Sequence, residues 1–103
     1  MTLHDALDPL EAKAEEAVAM LRLLANEKRL LILCKLAGHG EMSVTALSEA
    51  VRLSQSALSQ HLAKLRADGL VRSRRSAQTL YYRVGDPRVA KLLETLQDIY
   101  CPT

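Results

Sequence analysis

Residues 54–69, SQSALSQHLAKLRADG, form a predicted short helix with both ends marked in the sequence. Ser54 is a good N-cap because its hydroxyl can accept an unpaired backbone N–H, and Gly69 supplies the left-handed residue that ends a helix. At about 100° per residue, the leucines share one side, which must be buried: Leu58, Leu62 and Leu65. The opposite side and its flanks carry small, amide and basic side chains: Gln55, Ser56, Ser59, Gln60, Ala63 and Lys64. Gln and Ser can bond to base edges in a major groove, which favours a DNA recognition helix over an ordinary amphipathic surface helix only if further features agree.

A β-hairpin is predicted directly after this helix. Residues 70–74 and 79–84 alternate in polarity and are joined by a small polar turn. From Arg52 to Arg83 there are seven Lys or Arg residues and one acid, Asp68, a net charge of +6, so the rest carries −4 of the total of +2. Positive charge concentrated on a helix and a hairpin is typical of a surface that binds duplex DNA.

The composition excludes several other classes. With 103 residues the chain is expected to form one domain over residues 1–103, and its core is aliphatic because it has no Phe or Trp and three Tyr. Few aromatic rings argue against a protein that stacks single-stranded bases. No apolar run approaches the roughly 20 residues of a membrane span, and the N-terminus is not a signal peptide, so a cytoplasmic location and reduced cysteines are expected.

The N-terminal third is predicted to contain two helices. Residues 1–7 are expected to fray, and Asp8 followed by Pro9 is expected to begin a helix that runs to about Ala25. Asn26 is expected to cap the next helix, which is apolar on most of its circumference. Such a helix should lie at the centre of the fold.

The remaining helices complete a DNA-binding unit. Ser43 is expected to begin a helix that ends at Val51, and the short link 52–53 pairs it with the recognition helix as a helix-turn-helix. A last helix is expected from Asp86 to about Tyr100. The first and last helices have more apolar surface than the rest can cover, which predicts a two-fold homodimer that presents two recognition helices to one pseudo-palindromic site.

Helix order, hairpin and spacing resemble the winged helix-turn-helix repressors of the ArsR/SmtB family over about residues 18–101. The resemblance is carried by LLANEKRLLILCKL (23–36), LSQSALSQHLAKLRADGLV (53–71) and TLYYRV (79–84). It implies a mainly α (α+β) fold of about five helices with a two-stranded wing. It also implies operator DNA as partner, with four residues facing the bases: Gln55, Ser56, Ser59 and Gln60. In the wing, Arg74, Arg75 and Gln78 would reach the backbone or minor groove, and Lys64 would contact phosphate.

Both metal sites common in that family lack their ligands here. Ser43 and Thr45 stand where a Cys-x-Cys would bind arsenic or cadmium, and Arg88 stands where the last helix of zinc or nickel sensors has His. Soft metals need thiolates, and zinc needs about four donors. The three histidines are scattered and form no ligand set: His4, His39 and His61. No metal and no cofactor are therefore expected.

The two cysteines match one branch of the family, the sulfide and persulfide sensors BigR, SqrR and YgaV with the related HlyU. Leu31–Leu36, with Cys34, and Tyr100-Cys101-Pro102 resemble the two cysteine elements of that branch. The resemblance implies that reactive sulfur species bridge the pair through two to four sulfur atoms and lower DNA affinity. Taken alone, Cys34 is typical of a buried core residue, whereas Cys101 near the end of the chain is plausible as a reactive thiol.

The leading hypothesis is a homodimeric repressor that binds operator DNA when reduced and releases it when Cys34 and Cys101 are bridged. Two alternatives stay open: a repressor that binds metal through the two thiols, and a winged-helix module that binds protein. Catalysis has no support, since the sequence has no phosphate loop and no convincing carboxylate pair.

Overall fold

The computed structural model describes residues 2–102 and has six helices and a three-stranded antiparallel sheet. The winged helix-turn-helix expectation is confirmed, with one more helix and one more strand than predicted. The elements in chain order are α1 (Leu3–Ala12), α2 (Ala14–Leu24), α3 (Glu27–His39), β1 (Met42–Ser43), α4 (Val44–Val51), α5 (Gln55–Ala67), β2 (Val71–Ser76), β3 (Thr79–Val84) and α6 (Pro87–Tyr100).

The prediction for the N-terminal residues is wrong in two respects. The chain is helical from residue 3, because Thr2 and Asp5 form a capping box in which the Thr2 hydroxyl accepts the Asp5 N–H at 3.2 Å. Asp8 is therefore not a cap, and Pro9 lies inside α1 rather than at its start. The predicted single helix is also divided at Lys13, which has φ −109° and ψ 12°.

Four other predicted caps are confirmed by side chains that accept backbone N–H groups: Asn26, Ser43, Ser54 and Asp86. Gly69, with φ +77°, lies just beyond the end of α5.

The sheet has the strand order β1-β3-β2. The short strand β1 pairs with β3 at Tyr82 and Tyr81, and β2 and β3 form the wing. Ser43 both ends β1 and caps α4, accepting the Ala46 N–H at 3.1 Å. Consequently the edge of the wing sheet leads directly into the helix-turn-helix.

Helix α3 lies at the centre, as predicted. Ile32, Leu33 and Leu36 are fully buried, in one hydrophobic cluster with residues of α4, α5, β2, β3 and α6. Val89, at the start of α6, is also fully buried, which joins the last helix to the same core. None of the helices in residues 2–102 is long and apolar enough to cross a membrane.

Several large apolar side chains lie outside this core. They belong to α1, α2, α3 and α6: Leu3, Leu7, Leu10, Val18, Leu21, Leu31, Ile99 and Tyr100. Exposed apolar residues in such number usually mark an interface.

Candidate nucleic-acid interface and the two thiols

Helix α5 separates a buried leucine side from an exposed polar side. Leu58, Leu62 and Leu65 are at most 1% exposed, so the helix cannot turn about its axis without removing leucines from the core. Ser54 accepts the Ala57 N–H at 3.1 Å and fixes the first turn. The predicted DNA-facing residues of this helix all lie on the exposed side: Gln55, Ser56, Ser59, Gln60 and Lys64.

The turn before α5 is held by side chains. Arg52 ends α4 in the left-handed conformation, with φ 56° and ψ 50°. The Ser48 hydroxyl donates to the Leu53 carbonyl and closes the turn. Lys28 of α3 donates from Nζ to the Val51 carbonyl at 2.9 Å. The helix-turn-helix is thereby bonded to the central helix through a charged side chain.

A cleft of about 330 Å³ separates α5 from the wing. Its polar lining combines Gln55 and Ser59 of α5 with Gln78 of the wing turn. Residues predicted to bind DNA from the helix and from the wing therefore line the same cleft. Thr45 and Thr79 also line the cleft, and Gln55 Nε2 lies 3.5 Å from Thr45 Oγ1. Sequence reasoning missed both threonines, because neither lies on the recognition helix.

Arg74 and Arg75 are neighbours on β2 that point to opposite faces of the wing. Arg75 is paired with Leu80, which lines the cleft, and paired residues of a ladder share a face. Arg74 is paired with Tyr81 on the other face. Of the two predicted wing arginines, only Arg75 therefore lies on the face that borders the cleft.

Arg74 is bound to a residue that the sequence analysis did not consider. Its Nε and NH2 groups donate to the two carboxylate oxygens of Glu41 at 2.9 and 2.6 Å, and its guanidinium lies 4.7 Å from the centroid of the Tyr81 ring. The hydrogen bonds from Arg74 hold the pKa of Glu41 below its ordinary value, and they raise the pKa of Arg74. Both groups are therefore charged across the physiological range. No sequence pattern signals this pair, because its members are 33 residues apart.

Both thiols are free and exposed, and no disulfide joins them within the described chain. The interpretation of Cys34 as a core residue is wrong: the buried residues Ile32, Leu33 and Leu36 occupy one side of α3, and Cys34 lies with Leu31 on the other. Partial burial of the sulfur nevertheless raises the pKa of Cys34, an effect that the neighbouring Lys35 charge opposes. Cys101 is the C-cap of α6, and its N–H donates to the Gln97 carbonyl at 2.8 Å.

Three His, Cys, Asp or Glu side chains that lie close together could bind a metal ion. Within residues 2–102 one such group has its ligand atoms within 4.8 Å of one another: His4, Asp5 and Asp8, all exposed on α1. Neither thiol belongs to it. Exposed acidic side chains of this kind are common without a bound ion.

Residues 26–73 match the family described as "Bacterial regulatory protein, arsR family". The chain is 48% identical over 95 residues to the "Transcriptional activator HlyU" of Vibrio cholerae, which covers 92% of this chain and 87% of that protein. It is 44% identical over 96 residues to the "HTH-type transcriptional regulator YgaV" of Escherichia coli, covering 93% of this chain and 97% of the relative.

Solved structures agree with these relationships. "Reduced HlyU from Vibrio cholerae N16961" superposes with a TM-score of 0.82 at 48% identity, covering 92% of this chain and 99% of that chain. The "transcriptional repressor BigR from Xylella fastidiosa" superposes with a TM-score of 0.86 at 34% identity, with all of both chains covered.

Proposed function

The chain belongs to the ArsR family of bacterial transcriptional regulators, in the branch that includes HlyU, YgaV and BigR, and it is not an enzyme; from this premise we propose that it is a dithiol redox-responsive repressor. In this proposal a cytoplasmic homodimer binds operator DNA while Cys34 and Cys101 are reduced. The homodimer releases the DNA when reactive sulfur species bridge the two thiols through two, three or four sulfur atoms.

DNA recognition is assigned to the exposed side of α5 and to the wing. Gln55, Ser56, Ser59 and Gln60 carry hydrogen-bonding groups without bulk and would read base edges in the major groove. Three further residues would bind the DNA backbone: Lys64, Arg75 and Gln78. Arg74 was expected among them, but its charge is already paired with Glu41, so its part is to stabilise the wing.

The dimer is assigned to the exposed apolar side chains of the first, second and last helices. Ile99 and Tyr100 are 61% and 77% exposed at the end of α6, and Leu3 is 73% exposed at the start of α1. A two-fold axis through such a surface would bury the same residues from both subunits and set the spacing of the two recognition helices.

The observation that carries the sensing proposal is the exposure of both thiols. Cys34 lies on α3, the helix whose Lys28 holds the helix-turn-helix, and Cys101 directly follows the exposed end of α6. A bridge between them would therefore constrain two helices at once. These are α6, which belongs to the proposed dimer interface, and α3, which holds the turn before α5. Neither thiol is part of the buried core of the single chain.

The proposed chemistry uses a persulfide such as glutathione persulfide as the oxidant. One cysteine thiolate attacks the outer sulfur, which gives a cysteine persulfide and releases glutathione. The other thiolate then attacks Sγ of the first cysteine and displaces the outer sulfur as hydrogen sulfide, which leaves a disulfide. The two thiols lose two electrons and the transferred sulfur gains them. Each further sulfur atom added to the first cysteine before closure lengthens the bridge by one atom and releases one more glutathione.

Mass spectrometry and DNA binding together test this proposal. After treatment with glutathione persulfide, the peptides that contain Cys34 and Cys101 should be linked, with the mass of each added sulfur, and DNA affinity should fall by about tenfold, as a coupling of 1–2 kcal/mol implies. The Cys101→Ser protein should form no link and should stay bound. If Cys101→Ser releases DNA as the unaltered protein does, the switch does not use this pair.

A further inference from the structure

The basic residues from Arg52 to Arg83 differ in whether a carboxylate of the same chain already forms a salt bridge with them. Of the seven Lys and Arg residues from Arg52 to Arg83, Arg74 is the one that forms a salt bridge within residues 2–102. Lys64 and Arg75 have no carboxylate partner there and can exchange counterions freely with the solution.

The Arg74 pair extends across all three strands of the sheet. Glu41 directly precedes β1, Arg74 lies on β2, and Tyr81 of β3 lies between them in the strand order. The guanidinium is held along its Nε–NH2 edge by both carboxylate oxygens and rests against the Tyr81 ring. Two-point binding of this kind fixes the orientation of an arginine as well as its position.

The geometry points to Glu41 as a residue that limits non-specific DNA binding by keeping the charge of Arg74 out of the backbone contacts. It also ties the wing to the strand that leads into α4. This inference rests on the proposed DNA-binding function. Arg75, which is unpaired and lies on the cleft side, makes the wing's backbone contact.

The inference can be tested without a known operator, because counterion release makes the salt dependence of duplex DNA binding report the number of phosphate contacts. Each phosphate contact by Lys or Arg adds about 0.9 to the slope of log affinity against log salt on duplex DNA. In a homodimer, Glu41→Gln frees one Arg74 in each subunit. The slope for random-sequence duplex DNA should therefore steepen by about two units. On dilution of the salt by a factor of about ten, the variant should gain about 100-fold more affinity than the unaltered protein gains.

Two variants separate this effect from a general change in charge. Glu49→Gln removes a different exposed acid, on α4, which has no salt bridge in the described chain. That variant should steepen the slope much less than Glu41→Gln. The double variant Glu41→Gln with Arg74→Gln should return the slope to that of the unaltered protein, because the freed arginine is gone. Arg75→Ala should reduce the slope by about two units per dimer.

The outcomes distinguish this inference from the proposed function. Equal slopes for Glu41→Gln and Glu49→Gln would overturn the role of Glu41, since Arg74 would then reach phosphate with or without its partner. The role of Glu41 would also be overturned if the double variant, which lacks Arg74 as well, kept the steeper salt slope of Glu41→Gln. If the unaltered protein shows no salt-dependent binding to duplex DNA, the proposed function itself is wrong.

Discussion

The proposed DNA-facing side of α5 is held in place within one chain, whereas large apolar side chains of α1, α2, α3 and α6 remain uncovered. Helix α5 is fixed by buried leucines, by the Ser54 cap and by the bonded turn before it. Among the uncovered side chains, Leu31 lies on α3, which carries Cys34, and Ile99 lies on α6, which Cys101 follows. In the proposed homodimer, one chain would hold the DNA-facing side chains of α5 in place, and the spacing of the two α5 helices would depend on the second copy.

The largest effect is expected from a charge placed among the uncovered apolar side chains of α6. Ile99→Glu should separate the dimer because it puts a carboxylate into the proposed apolar interface, and it should spare the monomer because Ile99 is 61% exposed. DNA affinity should then fall by about 100-fold or more, since two linked reading helices bind far more tightly than one. Analytical ultracentrifugation and fluorescence anisotropy measure the two effects.

The control for this substitution adds the same charge to the same helix. Gln97→Glu lies two residues away on the opposite side of α6 and should leave both assembly and DNA affinity nearly unchanged. A stable Ile99→Glu dimer would show that the subunits meet through another surface.

A smaller effect is expected at the contact between α3 and the turn before α5. Lys28→Met keeps the aliphatic stem but removes the hydrogen bond from Nζ to the Val51 carbonyl, which leaves a partly buried acceptor unpaired. Bonds to charged groups contribute about 1.5–3 kcal/mol, so the free energy of unfolding should fall by about 2 kcal/mol. Urea unfolding measures this change.

Lys35→Met is the matched control, since Lys35 lies on the same helix and donates no side-chain hydrogen bond within the described chain. It should change the unfolding free energy by less than about 0.5 kcal/mol. Equal losses for the two variants would mean that Lys28 does not support the turn before α5.

Sequence reasoning was accurate where a local pattern determines the structure. Ser54, Gly69 and the leucine spacing of α5 are local signals, and the structure agrees with each of them. The N-terminal helices were predicted less well because two local signals competed. The capping box of Thr2 with Asp5 begins α1 before the Asp8-Pro9 pair, so proline at a first helical position was a misleading signal.

The rest depends on contacts between residues far apart in the chain. Strand β1 has two residues and exists because it pairs with β3, so it shows no period of its own. The Glu41–Arg74 salt bridge depends on that strand pairing, so no local sequence pattern predicts it either. Taken alone, Cys34 fits the pattern of a core residue because α3 is apolar on most sides, and only the packing decides which apolar side is left exposed.

The smallest effect concerns the reactivity of Cys34. Burial raises the pKa of this thiol, so the folded chain holds the proton more tightly than the unfolded chain does. The resulting stabilisation is present below the ordinary thiol pKa and is lost as the pH rises through the folded value. In the Cys101→Ser protein, iodoacetamide should therefore modify Cys34 a few-fold more slowly when the chain is folded than when it is unfolded in urea, because the thiolate is the nucleophile.

The pH dependence of this rate shows whether ionisation is the cause. The midpoint should lie at higher pH for the folded chain than for the unfolded one, and Lys35→Gln should raise it further, because the Lys35 charge favours the thiolate. A folded midpoint at or below the unfolded one would mean that Cys34 is an activated thiol able to make the first attack on a persulfide. In the proposed mechanism, a raised midpoint would assign the first attack to Cys101 and the closing step to Cys34, since the slower thiol could then react with a persulfide already held by the protein.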